Sequence, residues 1–274
     1  MANVTCPRRA GIRATVALAC LIAPVAYDPA RAVAPNLVTN GSFENAGTLN
    51  STNSELAPTS TTGSAPWPST LPGWAVTQPA GQSGYIDCLV LGGANNMCGT
   101  SYLGPGNVYA TFTVFPGVSP DGGNFLAADA DNLYSESIGQ TVSGLTAGAL
   151  YSLSFYQAGA QQKGFTGATH DQWQVTFGGT TQTSTLMNVP DSSYVAWMSQ
   201  TMTFTATATS QTLTFLAVGG PNGKPPMALI DGIALTQVPE PGAIGAFVLC
   251  IAGLVGLRYR RARPCPAAAE RVLA

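Results

Sequence analysis

Residues 150–157 read LYSLSFYQ, a stretch in which apolar and polar side chains alternate. Large apolar side chains at positions 151, 153 and 155 are separated by serines at 152 and 154. Successive side chains of an extended chain point to opposite faces, so this alternation puts the large residues on one face. The stretch therefore predicts a β-strand with one buried face.

The same alternation recurs along the middle of the chain. It is found in five further segments: Asn107–Phe115, Gln172–Phe177, Met198–Ala206, Gln211–Val218 and Ala228–Thr236. Glycine-rich turn clusters separate them, and no part of the middle carries a helical repeat. Strands at this density without helices predict an all-β fold, a two-sheet sandwich over residues 36–237, with a long Ser/Thr/Pro-rich surface loop at 49–72.

The chain closes on an apolar run followed by arginines. Residues 242–257 contain no charged side chain, and Arg258, Arg260 and Arg261 follow directly. A helix of this length, extended by its flanks, just spans a thin membrane, and flanking arginines stay on the cytoplasmic side. We therefore expect one transmembrane helix and a cytoplasmic tail at 265–274, with a buried core helix as the alternative.

The start of the chain also indicates export. Three arginines precede an apolar run at 14–26, and small residues follow. This order is typical of a secretory signal peptide, here residues 1–32, with cleavage after Ala32 favoured because a cut after Ala34 would leave Pro35 first. A lipoprotein signal at Cys20 fits the pattern less well. The domain between the two ends is therefore expected outside the cytoplasm.

The charge of the molecule is sharply divided. Residues 36–238 hold two lysines, no arginine and ten acidic residues, a net formal charge of −8, whereas the ends are basic. Phosphate contacts are made mainly by Lys and Arg, so nucleic acid is excluded as a partner. The charge favours cations, polyols or neutral glycans instead.

Cysteine positions agree with an exported domain. Only Cys88 and Cys98 lie between the two terminal segments, which is the right number for one disulfide in an oxidising compartment. We predict that they pair. The spacings that mark a zinc site are absent, and the only histidine, His170, is expected to be a hydrogen-bonding loop residue.

Residues for catalysis are missing from the pattern. No spacing singles out a pair of carboxylates suitable for glycoside hydrolysis, and no Gly-x-Ser-x-Gly elbow accompanies the single histidine. No phosphate-binding glycine loop precedes a helix. The sequence therefore predicts a protein that is not an enzyme.

Five motifs carry a family resemblance. These are NLVTNGSFE at 36–44, LPGW at 71–74, GQTV at 139–142, LTAGALYSLSFYQAGA at 145–160 and ALIDGIAL at 228–235. In this order they resemble the galactose-binding-like jelly rolls of carbohydrate-binding modules, of plant cell-wall proteins of the DUF642 type, and of bacterial surface proteins of the choice-of-anchor C type. The resemblance implies a jelly-roll sandwich that binds extracellular polysaccharide.

The same resemblance implies a structural calcium. In such modules an acidic residue of the first motif and one of the last strand help to hold the ion, and here these positions are Glu44 and Asp231. The alternative is that both are ordinary turn and surface residues. Asp129 and Asp131, within AADADN, are candidates for a second oxygen cluster, although such short Asp/Asn stretches are more often simple turns.

The tail resembles a bacterial sorting signal. Pro239, Glu240 and Pro241 precede the apolar helix and the arginine cluster, which is the order of a PEP-CTERM signal at 238–264. That resemblance implies an exosortase-type membrane enzyme as partner, an inner-membrane-anchored precursor, and release to the cell surface or beyond. A permanent anchor is the alternative.

Glycan binding would need exposed aromatic side chains on which sugar rings stack. The candidates are Trp173, Trp197 and Tyr85, with a core role for Trp173 left open, whereas Trp74 is expected in the core. The predicted function is an exported, non-catalytic exopolysaccharide-binding protein. A structural, glycosylated surface or biofilm-matrix protein without a specific ligand remains the second interpretation.

Overall fold

A computed structural model describes residues 34–47, 71–77, 87–92, 112–132 and 137–239. The predicted signal peptide, transmembrane helix and cytoplasmic tail lie outside these ranges, as do Tyr85 and Cys98. Within them, no helix has the length and apolar character needed to cross a bilayer.

The described chain is all-β, as predicted, and forms a sandwich of two antiparallel sheets. One sheet has the strand order β1-β4-β10-β6-β7, with β8 also paired to β6, and the other has the order β2-β3-β11-β5-β9. The strands are β1 (Ala75–Thr77), β2 (Asp87–Val90), β3 (Phe125–Asp129), β4 (Ser137–Ser143), β5 (Leu150–Gln161), β6 (Thr169–Phe177), β7 (Thr180–Thr183), β8 (Met187–Val189), β9 (Val195–Thr205), β10 (Ser210–Gly220) and β11 (Pro226–Gln237).

Most predicted strands are confirmed, and they extend further than the alternation indicated. The chain crosses from one sheet to the other after β1, β3, β4, β5, β8, β9 and β10, a connectivity typical of jelly rolls. Two expectations were wrong. The described part of the segment 107–115 contains only an isolated bridge from Phe112 to Gln162, and His170 lies in β6 rather than in a loop.

The main core lies between the sheets and is rich in aromatic rings. Phe215 of β10 is at its centre, with edge-to-face contacts to Trp74, Phe155 and Trp173 at centroid distances of 6.1, 5.5 and 6.3 Å. Such contacts add to the stabilisation that comes from apolar burial. The apolar half of the period-two pattern therefore faces inward in both sheets.

The five-stranded sheet is buried on its outer face as well. A second cluster there contains Cys88, Val90, Phe112, Phe125, Ala127, Ala158, Ala160, Met227 and Leu229, with Phe115 and Trp197 packed against it. Residues 112–119 cross this face and are held by a hydrogen bond of 2.8 Å from the Thr113 N–H to the carbonyl of Gln161. The part of this sheet around β3 is therefore covered on both sides, whereas Ser199 of β9 is exposed.

The first described segment lies along the last strand. Leu37 N–H donates to the Leu235 carbonyl and Ile233 N–H donates to the Gly41 carbonyl, both at 2.9 Å. A Cβ on Gly41 would lie 2.0 Å from the Ile233 carbonyl oxygen, so only glycine permits this approach. The two ends of the domain are thus adjacent.

Candidate functional site

A groove opens on the outer face of the six-stranded sheet, where β1 and β10 flank β4. Its volume is about 370 Å³, which is near the lower end of the range of small-molecule sites. It is lined by Gly73, Trp74, Ala75, Thr77, Ser137, Gly139, Gln140, Thr141, Thr212 and Thr214. Five hydroxyl groups and no charged side chain therefore surround it.

Gln140 fixes one wall of this groove. Its buried side chain donates to the carbonyls of Thr39 and Gly73 at 2.8 and 2.7 Å and accepts from the Thr39 N–H at 2.7 Å. These bonds tie the 36–44 and 71–74 motifs to β4. Gln140 was not proposed as a site residue from the sequence, although the GQTV motif contained it.

The open face beyond the groove is also uncharged. Strand pairing places Thr214 opposite Gly139 on one side and Thr176 on the other, with Thr181 next in the row. In the described strands, no Asp, Glu, Lys or Arg projects from this face, and His170 lies at its far end. The face offers hydroxyl and amide groups to a ligand without net charge.

Trp173 is not available at the surface. Its side chain is only 1% exposed, and its indole N–H donates to the Leu229 carbonyl at 3.1 Å between the sheets. The prediction that Trp173 contacts a glycan is therefore wrong, and the core alternative holds. It faces inward because it alternates with outward-facing Gln172 and Gln174 along β6.

Trp197 is half-buried on the covered face of the five-stranded sheet. Its indole N–H donates to the Gly117 carbonyl at 3.1 Å, and its ring meets Phe125 edge-on at 5.2 Å. Its polar atom is thus used within the protein, and part of its ring packs in the second cluster. Tyr85 lies outside the described residues, so its role stays a prediction.

The structure places Glu44 and Asp231, the predicted calcium ligands, close enough for their charges to interact. Asp231 is fully buried, and neither of its carboxylate oxygens has a hydrogen-bond partner. Glu44 is exposed, and its Oε1 accepts from the Asn124 N–H at 2.8 Å. Asp121, which the sequence did not single out, lies nearby against Gly232.

Three negative charges meet around Asp231. Burial is the main reason that the pKa of Asp231 rises to about 7. The charges of Asp121 and Glu44 also raise this pKa, whereas the nearby Ser119 hydroxyl and Gly232 N–H lower it. A β-bulge after Asp231 is built on Gly232, which has a φ of 61°. Alternation along β11 already puts Asp231 on the outer side with Met227 and Leu229, and the bulge after it returns Ile233 to the core.

A second acidic pair follows β3. Asp129 and Asp131 are both buried, at 1% and 0% exposure, and the Asp131 N–H donates to Asp129 Oδ1 at 2.8 Å. The other oxygen, Asp129 Oδ2, has no partner. Burial raises the pKa of Asp129 to about 7, with the Asp131 N–H lowering it and the Asp131 charge raising it.

Asp171 is a different kind of buried acid. It points between the sheets, with Oδ1 at 3.3 Å from where a Cβ on Gly159 would lie, and neither oxygen has a partner. Burial alone raises its pKa well above the usual value. No neighbouring charge contributes to the shift, so Asp171 is an isolated carboxyl in the core.

Metal and redox groups are few in the described part of the chain. No three His, Cys, Asp or Glu side chains there are grouped so as to hold a metal ion by themselves, so any ion would need backbone or hydroxyl oxygens too. Cys88 is buried and disulfide-bonded. Its pairing with Cys98 stays a prediction, because Cys98 lies outside the described ranges.

When the chain is compared with known proteins, similar ones are found only among solved structures. No family model matches the chain, and no curated protein does. One similar structure is the carbohydrate-binding module TmCBM61 in complex with β-1,4-galactotriose, with 16% identity and a TM-score of 0.40 over 74% of this chain and 99% of that one.

Two further carbohydrate-binding modules are similar. A module of the CBM4 type has 14% identity and a TM-score of 0.32 over 73% of this chain and 99% of that one. The CBM22-1 xylan-binding domain of Xyn10C from Paenibacillus barcinonensis has 13% identity and a TM-score of 0.32, over 75% of this chain and 96% of that one.

Proposed function

We propose that this protein is an exported, non-catalytic polysaccharide-binding protein with a galactose-binding-like jelly-roll domain. The observation that carries the proposal is the uncharged groove between β1, β4 and β10, whose five hydroxyls match the hydrogen-bonding groups of a sugar. Neutral hydroxyl and amide groups can bond to sugar hydroxyls without desolvating a charge. The acidic domain would repel anionic polymers, so the ligand is a neutral glycan.

Filling the groove tests this function. A Cβ on Gly139 would meet the Leu213 carbonyl at 3.5 Å and the Thr212 and Thr214 side chains at 3.6 Å, which are ordinary contacts. Gly139→Val should therefore fold and place methyl groups on the groove floor. We expect glycan-array binding of the purified wild-type protein, and at least tenfold weaker binding of Gly139→Val to the glycans identified.

A matched control adds the same side chain elsewhere. Ser199 is exposed on β9 of the other sheet, so Ser199→Val should leave glycan binding unchanged. Equal loss in both variants would contradict a site in the groove. Failure of the wild-type protein to retain on any neutral polysaccharide would contradict the proposed function and favour the structural, ligand-free surface protein.

We also propose a structural calcium at Glu44 and Asp231. The donor chemistry fits, because two carboxylate oxygens of Asp231 are buried without partners and Glu44 and Asp121 add negative charge at the surface above them. Calcium takes oxygen ligands in flexible geometry, including hydroxyl and backbone oxygens. A bound ion would neutralise the mutual repulsion of these carboxylates and hold the first motif to β11.

Thermal unfolding tests the calcium proposal. An ion that binds only the folded state adds about 2.7 kcal/mol at one hundred times its dissociation constant, so the melting temperature should rise by several degrees in millimolar calcium. Asp231→Asn should make this rise smaller. The control Asp171→Asn changes a buried carboxyl without acidic neighbours and should retain it, and a melting temperature indifferent to calcium and chelator would refute the site.

The sorting signal completes the proposed function. We propose that an exosortase-type enzyme processes Pro239, Glu240 and Pro241 while the helix and Arg258, Arg260 and Arg261 hold the precursor in the inner membrane, and that the product reaches the cell surface or medium. Mass spectrometry of the surface protein should then find no peptides beyond about residue 241. Glu240→Ala should accumulate uncut protein in the inner membrane, whereas full-length surface protein would indicate a permanent anchor.

A further inference from the structure

The turn after β3 is locked to a distant loop. Ala130 N–H donates to the Pro226 carbonyl at 2.9 Å, and the carboxylate of Asp131 accepts a short hydrogen bond from the Gly223 N–H. Asn132 adds a side-chain contact to Asn222 at 3.4 Å. The acidic turn and the 221–226 loop therefore form one unit.

One carboxylate oxygen in this unit, Asp129 Oδ2, has no hydrogen-bond partner. Asp129 Oδ1 accepts the Asp131 N–H, as a simple turn requires, but Asp129 Oδ2 is buried in a side chain only 1% exposed and has no partner. A buried acceptor without a partner destabilises the fold by about 1–3 kcal/mol, and more when it is charged. A turn alone does not account for it.

The carboxylate of Asp131 makes the burial of Asp129 less favourable still. Asp131 is fully buried two residues away, so a second carboxylate lies beside that of Asp129. Lys224, the basic residue of the 221–226 loop, extends to Gly167 instead. The unpartnered Oδ2 of Asp129 therefore receives no positive charge from this lysine.

We propose that Asp129 and Asp131 hold a second divalent cation, calcium, together with backbone oxygens of the turn. The oxygen-only donors suit calcium rather than a metal that prefers nitrogen or sulfur ligands. The ion takes the position toward which Asp129 Oδ2 is directed. It stabilises the turn against the 221–226 loop, and it binds independently of Glu44 and Asp231.

Counting bound ions tests this site separately from the first one. Isothermal titration with calcium, after chelator treatment, should give two ions per wild-type protein. Asp231→Asn should still bind one, through Asp129 and Asp131. Asp129→Asn keeps the Oδ1 acceptor of the turn while replacing Oδ2 with an amide NH₂, so it should fold and lose one ion.

The combined variant and a control decide the result. Asp129→Asn with Asp231→Asn should bind none, while Asp171→Asn should still bind two. No calcium bound to Asp231→Asn would overturn the second site, as would an unchanged count in folded Asp129→Asn. If Asp231→Asn fails to fold by circular dichroism, Glu44→Gln at the exposed position replaces it. One ion in wild type that Asp129→Asn removes would refute the first site and retain this one.

Discussion

The outer faces of the two sheets differ in what covers them. The five-stranded sheet turns Phe125, Ala127 and Leu229 outward, and residues 112–119 with Trp197 pack over them as a second core. The six-stranded sheet turns Thr, Ser and Gln outward and leaves them open around the groove. Aromatic side chains are therefore a poor guide to the open face here, because the face that carries them is already covered by the protein itself.

Side chains on the covered outer face of the five-stranded sheet should contribute to stability as core residues do. Truncating Phe125, which is fully buried and contacts Trp197, removes a large ring beneath the 112–119 segment. We expect Phe125→Ala to lower the free energy of unfolding by about 3–5 kcal/mol, because burial is lost and a cavity remains. Urea denaturation measures this change, and a loss below about 1 kcal/mol would show that the cover is loosely packed.

The layer between the two faces should respond to pH through Asp171. Its pKa is raised in the folded state by burial, so the folded protein holds this proton more tightly than the unfolded chain does. Stability should therefore fall as pH rises above the unfolded pKa of about 4, by about 1.4 kcal/mol per pH unit from this group alone.

The variant Asp171→Asn separates the contribution of Asp171 to the pH dependence of stability from the contributions of Asp129 and Asp231. Asp171→Asn should flatten the fall in stability with rising pH, measured by urea denaturation from pH 4 upward in parallel with wild type, because Asp129 and Asp231 are present in both proteins. An identical pH slope in wild type and Asp171→Asn would mean that the carboxyl is solvated or paired in solution.

The open face should tolerate change with the smallest effect on stability. Thr176 Oγ1 and Thr181 Oγ1 lie 2.9 Å apart on this exposed surface. Replacing Thr176 with the isosteric Val removes one solvent-accessible hydrogen bond, so Thr176→Val should change the free energy of unfolding by no more than about 0.5 kcal/mol. A loss comparable to that of Phe125→Ala, again by urea denaturation, would mean that this face is also covered.

The alternation of apolar and polar residues was sufficient to predict an all-β sandwich. It works because period-two patterning marks a strand with one buried face, as in β10. The second core escaped notice because β3 reads FLAAD, a short apolar run that does not alternate. A strand that is buried on both faces requires such a continuous apolar run, so the run in β3 was the sequence signal for the second core.

The candidate site was predicted only in part, for a physical reason. Glu44 and Asp231 could be paired through family motifs, whereas Asp121 lies in a loop whose approach depends on tertiary packing. Asp171 and Trp173 share the buried face of β6, a pairing that alternation along the strand could have indicated but that was not drawn from the sequence. The groove depends on Gln140, whose three hydrogen bonds join segments far apart in sequence.

The docking of the first segment on β11 constrains when the domain can close. The Leu235 N–H donates to Asn36 Oδ1 across 199 residues, and β11 also lies between β3 and β5 in its sheet. A chain that emerges from a ribosome or a membrane channel from its N-terminus exposes residues 36–41 long before their partner strand. Because such distant contacts form late, the five-stranded sheet is completed only when the last strand is free.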